Sequence, residues 1–410
     1  MSTMNTMNTM GTGTTNGAAA SILDARLSRR SMLALVAAAG LGLALGGNAF
    51  AEEAKQAAES EGATEGAATA AADHQATTYP VTITDRAGRE VTIEKADRIA
   101  TLCATGFDRM LVLGETKRIV GNFGSLTEWA KYCNGGDVES LGGGNVAGDP
   151  DVEALNALDI DVLYCWQEAI EAGNVTDPDQ AAFQAVCAQL STGNPTTVEE
   201  FRDYVTSEIY LYSDALASEE ANARANAWVD YANEKFDYVI SKTAGLSEDE
   251  IVPVYCARGG RGGDDPCNAF LKHSYPDFAL QMAGGRNVAD ETEGESYGDV
   301  TAEQIAVWNP QVVFCGRIAD PAAITGSDVF AATDAVANGQ VFLSPAGVME
   351  WDTGSECVLN TLYIAKTLHP ELFEDLDMVA EVQNYYATFF GTELTEQQAQ
   401  NILDRKGPEE

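Results

Sequence analysis

The chain is short of positive charge. Its 410 residues carry 24 Lys and Arg against 63 Asp and Glu, a formal net charge of −39. A nucleic-acid surface needs basic side chains to displace counterions from phosphates, so that class of partner is excluded. Histidine is scarcer still, with three residues at 74, 273 and 369. Eight cysteines occur (103, 133, 165, 187, 256, 267, 315 and 357), none of them in a Cys-x-x-Cys pair. The chain therefore lacks the ligand spacing of a structural zinc site. No Gly-Lys-Ser/Thr closes a glycine loop, which removes the P-loop nucleotide binders. The long apolar run, Met32 to about Gly47, falls short of a membrane span.

That run does have an export context. Arg29 and Arg30 precede it within SRRSML, and Ala49-Phe50-Ala51 follows it. This is the layout of a cleavable signal over residues 1–51, with the arginine pair of the twin-arginine type. Met32 stands where that signal normally has Phe; a general secretory signal is the alternative. Three Arg and one Asp lie in this segment, so the remainder carries −41. No cysteine sits at the cleavage region, so no lipoprotein anchor is expected. The protein is expected to be exported, as a monomer at the outer face of the membrane or in the periplasm. An even number of cysteines in an oxidising compartment points to disulfides.

Residues 52–78 are rich in Ala, Glu, Thr and Gly without apolar periodicity, the pattern of a linker. VTIT and EVTIE then alternate about the turn Asp85–Gly88, a hairpin signal. IATLC, a continuous apolar strand, and the helix GFDRMLVLG begin an alternating β/α pattern. Residues 197–243 break that pattern with two helices, the second free of Gly and Pro from Ser218 to Thr243. The alternation resumes with IVPVYCA, VVFCG and QVFLSP, followed by the amphipathic ECVLNTLYIAKTLHPELF. One stretch also occurs twice. VEALNALDIDVLYC (152–165) aligns without a gap on AEQIAVWNPQVVFC (302–315), pairing Glu153 with Glu303, Asp159 with Asn309 and Cys165 with Cys315.

The expected fold is α/β: two Rossmann-like lobes joined by a single long helix. The boundaries are 79–215 for the first lobe, 216–244 for the bridging helix, 245–395 for the second lobe and 396–410 for a tail. The chain resembles the ABC-transporter solute-binding proteins of the iron-siderophore, haem and vitamin B12 type. The marks are VTITDRAGREVTI, RIATLCATGFDRMLVLGETKRIVG, LGGGNVAGDPDVEALNALDIDVLYCW, MAGGRNVAD, TAEQIAVWNPQVVFCG, VANGQVFLSP and LNTLYIAKTLHPELF, in family order over roughly 79–390. The resemblance implies a ligand cleft between the lobes, a membrane permease with its ATPase as partner, and no catalysis. It also implies one exposed Glu per lobe seated in arginine pockets of the permease, at positions matching Glu153 and Glu303. Each could instead serve its own helix start through the dipole.

Ligands of open α/β sheets lie beyond the carboxyl ends of the strands. That rule selects Thr105, Phe107, Trp166, Tyr255, Arg258, Arg261, Arg317 and Trp351 as ligand-binding candidates. The loop YCARGGRGGDDPC (255–267) joins close backbone approach to forked donors, and a Cys256–Cys267 disulfide across it would pre-shape it. Cys103, Cys165, Cys256 and Cys315 all end strands; buried thiols or disulfides are expected there rather than metal ligands. No intrinsic cofactor or metal is expected. The ligand ranking is ferric siderophore, then haem, then cobalamin or another corrinoid, then an oxyanion such as molybdate. GESYG (294–298) formally matches a hydrolase elbow, but an acidic loop rather than a strand precedes Ser296. GGGNVA (142–147) matches a dinucleotide fingerprint only weakly, and Asp149, Asp151 and Glu153 after it would repel a pyrophosphate.

Overall fold

The computed structural model describes residues 77–143, 148–191, 195–260 and 262–410. The export signal, most of the linker and Arg261 lie outside the described residues. Twelve strands are found among those described. β1 (Val81–Thr84) and β2 (Glu90–Ile93) form the antiparallel hairpin, paired from Val81–Ile93 to Thr84–Glu90. Their exposed and buried residues alternate, as a two-residue side-chain period requires.

The first lobe is a parallel sheet of β3 (Ile99–Thr101), β4 (Ile119–Asn122), β5 (Val162–Trp166) and β6 (Gln184–Gln189), in the order β4-β3-β5-β6. Both faces are covered. Ile99, Val162, Tyr164, Val186 and Ala188 join the central core, while Ala100, Leu163, Cys165 and Ala185 pack in a separate outer cluster. The chain leaves β3 toward β4 and returns to β5 on the other side. The strand order therefore reverses at the end of β3, which opens a crevice there.

The second lobe has β7 (Val252–Gly259), β8 (Asp265–Phe270), β9 (Gly285–Asn287), β10 (Tyr297–Asp299), β11 (Val312–Cys315) and β12 (Val341–Leu343). Their order is β10-β8-β7-β11-β12, with β9 also on β7. β7, β9, β11 and β12 are parallel, while β8 pairs antiparallel with β7 on one side and with β10 on the other, extending one edge. This antiparallel addition has no counterpart in the first sheet.

Between the lobes lie helices Val198–Asp214 and Glu219–Thr243, capped by the Thr197 and Ser218 side chains on Glu200 N and Ala221 N. At 25 residues the second is about 37 Å long. Arg224 donates to the carbonyls of Val112 (2.7 Å) and Phe389 (2.6 Å), Trp228 Nε1 to Tyr385 Oη (2.9 Å), and Thr243 Oγ1 to Met282 O (2.6 Å). The bridging helix is thus pinned at its start, middle and end. Among the described residues no helix is long and apolar enough to cross a membrane.

The segment expected as a tail folds back instead. Thr395 and Gln398 close a capping box on helix Glu396–Leu403. Beyond it, Arg405 donates to Gly316 O (2.7 Å) and Ser344 O (3.0 Å) in the second lobe, while Trp129 Nε1 of the first lobe donates to Lys406 O (2.8 Å). The chain end therefore ties the lobes together a second time.

The duplicated stretch is duplicated in space. Glu153 is the second residue of helix Val152–Ala157 after N-cap Asp151, and Glu303 the second of Ala302–Trp308 after N-cap Thr301. Both carboxylates are exposed. Asp159 (φ 52°) and Asn309 (φ 44°) both turn the chain through the left-handed region, where Asn and Asp are tolerated best after glycine.

Candidate functional site

A cavity of about 880 Å³ lies between the lobes. The first lobe contributes Ala104 and Thr105 after β3, Phe123 after β4, Trp166 at the end of β5 and Gln189 to Ser191 after β6. The second contributes Arg258 from β7, Arg317 after β11, Tyr297 from β10, and Asp352 and Thr353 from the 344–356 segment. The carboxyl ends of both parallel sheets therefore meet at one space. Smaller cavities of about 410 Å³ beside β2 and β6, and about 510 Å³ under the bridging helix, collect no such ends.

On the first-lobe wall Trp166 is half-buried, and its indole N–H has no partner among the described residues. Thr105 is 1% exposed, and its hydroxyl is committed: it accepts from Gln189 Nε2 (2.8 Å) and donates to Glu208 Oε1 (3.0 Å). Glu208 in turn holds the fully buried Arg109, which also meets Asp108, each at 2.5 Å. Asp108 accepts from Ser355 N (2.9 Å) and Oγ (2.6 Å) across the lobe boundary. A continuous polar chain thus runs from the cleft wall to the second lobe. Burial acts to raise the Glu208 carboxyl, but Arg109, Arg86 and its hydrogen bonds outweigh that and hold it below the ordinary range.

The second-lobe wall carries charge. Arg258 lies 4.1 Å over the Tyr297 ring and donates to Asn268 Oδ1 (3.2 Å). Burial and the neighbouring Arg317 pull its guanidinium downward, and no carboxylate pairs with it among the described residues. Arg317 makes a two-pronged bond to Asp352 (2.8 and 2.9 Å). Burial works against that cation, yet Asp352 outweighs burial and raises it. Tyr297 is 57% exposed, so an aromatic face stands open beside both guanidinia. His273 and Glu295 also border the cavity, joined at 2.6 Å. Glu295 sits below the ordinary carboxyl range, His273 being the largest cause.

The structure thus brings Thr105, Trp166, Arg258 and Arg317 together, and moves three candidates elsewhere. Phe107 is 3% exposed and belongs to the central core, because its helix turns that face toward the bridging helices. Tyr255 is fully buried in the outer core of the second lobe, donating to Pro266 O (2.8 Å). Trp351 is fully buried, its indole bonded to Glu356 Oε1 (3.0 Å). The proposed disulfide is absent. All eight cysteines are free, and Cys256 and Cys267 face opposite sides of their sheet, one toward the central core and the other toward the outer cluster. Strand alternation puts them there: Ala257 pairs with Ala269, so the parity of Cys256 opposes that of Cys267. Ser296 is followed by strand β10 rather than a helix, so the nucleophile-elbow geometry is not met. Among the described residues no group of three or more His, Cys, Asp or Glu is placed to hold a metal ion.

Gln189, Tyr297 and Asp352 were not anticipated. AVCAQL was a readable apolar strand whose end carries Gln189; Tyr297 and Asp352 depend on pairings that local sequence does not encode.

Two α/β lobes on a fixed helix, with a cavity at the meeting of their strand ends, define a two-lobed solute receptor. The periplasmic binding protein family model matches residues 99–347, more than half of the chain. The chain belongs to that family, among the helical-backbone solute-binding proteins of ABC transporters. It is 25% identical over 332 residues to the molybdate-binding protein MolA of Haemophilus influenzae, covering 76% of this chain and 91% of that one. It is 23% identical over 308 residues to a cobalamin-binding protein of Halobacterium salinarum, covering 75% and 74%. The solved structure of molybdate-bound MolA matches with a TM-score of 0.63 at 24% identity, covering 77% of this chain and 99% of that one. A periplasmic solute-binding protein from Veillonella parvula matches with a TM-score of 0.62 at 20% identity, covering 78% and 96%. Proteins of this family work outside the cytoplasm with an ABC permease and bind small molecules rather than transform them.

Proposed function

We propose that the protein captures a metal chelate, a ferric siderophore first among the candidates, between its lobes and delivers it to an ABC permease. The observation that carries this reading is the interlobe cavity. It combines about 880 Å³, a half-buried ring at Trp166, an exposed one at Tyr297, and a guanidinium at Arg258 without a carboxylate partner among the described residues. Flat aromatic walls suit the aryl or apolar periphery of a chelate, and a forked donor suits its oxygens. A bare oxyanion would leave most of such a volume unfilled. Haem and cobalamin remain the alternatives, and the two named relatives bind molybdate and cobalamin. Export is by the signal in residues 1–51. Glu153 and Glu303 dock the permease, one carboxylate from each lobe fixing the orientation.

A ligand that binds only the folded state raises its melting temperature. The purified protein is expected to gain thermal stability with a ferric siderophore. A shift with haem, cobalamin or molybdate and none with any ferric siderophore overturns the proposal.

A further inference from the structure

Among the described residues lining the cleft, the cations are Arg258 and Arg317, with His273 beside Glu295. The two guanidinia are not equivalent. Arg317 is engaged by both oxygens of Asp352, a residue only 6% exposed. Asp352 cannot readily swing away, because its neighbours are anchored. Trp351 is buried on Glu356, and the Thr353 amide is bonded to Glu350 O at 3.1 Å. Glu350, two residues before Asp352, is occupied by Arg405 at 2.6 Å. Glu350 and Asp352 therefore each have their own arginine. Arg258, by contrast, has only the neutral Asn268 and the Tyr297 ring. On the facing wall the charged side chain is Glu168, an exposed carboxylate.

We propose that Asp352 sets the charge that the cleft accepts: by holding Arg317 it leaves Arg258 as the one uncommitted guanidinium among the described residues lining the cleft, so the ligand is a chelate carrying little net negative charge. This rests on the chelate reading above and narrows it. A multiply charged anion placed against Arg258 would also meet Asp352 and Glu168, and like charges brought together across an interface are penalised. A neutral or singly charged complex meets no such opposition.

Two ferric complexes of comparable size but different charge test this: a neutral tris-hydroxamate complex and a trianionic tris-catecholate complex. Each is titrated by calorimetry into the full-length protein, the Asp352→Asn variant, the Arg317→Gln variant and the double variant. The readout is the ratio of the two affinities, which removes the effect of overall protein charge on any one ligand. Wild type is expected to favour the neutral complex by about tenfold or more. Asp352→Asn moves the ratio toward the trianion by about tenfold, Arg317→Gln moves it the other way, and the double variant returns near wild type. Arg317→Gln also carries the test if Asp352→Asn does not fold, as its melting curve would reveal. A wild-type preference for the trianion, or a ratio that none of these variants moves, overturns the charge rule while leaving the chelate reading standing. Binding of neither complex, with molybdate binding instead, overturns both.

Discussion

The two lobes are alike on their outer surfaces and unlike on their inner walls. Outside, Glu153 and Glu303 hold the same place in equivalent helices, and Asp159 and Asn309 end those helices with the same left-handed turn. Inside, the first lobe offers an aromatic wall whose Thr105 hydroxyl is tied to Gln189 and Glu208. The second offers two guanidinia, one open tyrosine and a buried aspartate. The difference in architecture underlies the difference in chemistry. Tyr297 rides on β10, part of the antiparallel edge that the first sheet lacks, and Asp352 rides on the 344–356 segment between the sheet and helix Cys357–Leu368. Under the docking proposal, the duplication is kept where one partner would be met at two points and is absent from the walls that border the cavity.

The sharpest way to break that comparison is to attack the surface the lobes share. Replacing Glu153 and Glu303 together by Lys should abolish ligand uptake in cells while the calorimetric affinity of the purified protein stays unchanged. Reversing either one alone should leave residual uptake, because one point of a two-point dock remains. Loss of affinity in the double variant would instead assign these carboxylates to their helix starts.

The inner walls should respond unequally. Arg258→Gln removes the uncommitted guanidinium of the second lobe and should weaken chelate binding by about thirtyfold, as loss of a charged hydrogen bond does. Trp166→Ala removes contact area from the first lobe and should cost about tenfold. The two losses should also differ in kind. With a singly charged chelate as ligand, the arginine loss should shrink as salt is raised, whereas the tryptophan loss should not. Equal salt sensitivity in both variants would mean that the walls do not divide the work as described.

Much of this was legible in the sequence. The hairpin, the two interlobe helices and the repeated helix–strand unit follow from short-range periodicity and from the lack of Gly and Pro between Ser218 and Thr243. The rule that ligands sit beyond strand ends selects Thr105, Trp166, Arg258 and Arg317, and these four border one space. What the rule cannot do is tell an end that faces the cavity from one that faces the core. Both faces of a doubly covered sheet are apolar, so Tyr255 and Cys256 read alike although they point to opposite sides. Asp352 was hidden for another reason: its partner lies 35 residues away, and only the fold brings the two together. The misreading of residues 396–410 as a tail was avoidable, since Thr395-Glu-Gln-Gln398 is a capping-box signature.

The smallest expected effect concerns two buried glutamates that behave oppositely. Glu208 has Arg109 against it and is held below the ordinary carboxyl range. Glu356 has only neutral donors: Met349 N (2.9 Å), Trp351 Nε1 (3.0 Å) and Tyr386 Oη (2.7 Å). Burial pushes it up to about 8, against the downward pull of those bonds. The signs follow from linkage. The stability contributed by Glu208 is present above its unfolded value and is lost as pH falls through its folded one. That contributed by protonated Glu356 is present below its unfolded value and is lost as pH rises toward about 8. Melting temperature should therefore decline on the acid side through Glu208, and again as pH rises from the ordinary carboxyl range toward about 8 through Glu356. Glu356→Gln cannot ionise, so it should flatten this second decline by a few degrees relative to wild type while leaving the acid limb in place. An unchanged decline over that window would mean that Glu356 is already ionised at neutral pH, with its three donors outweighing its burial.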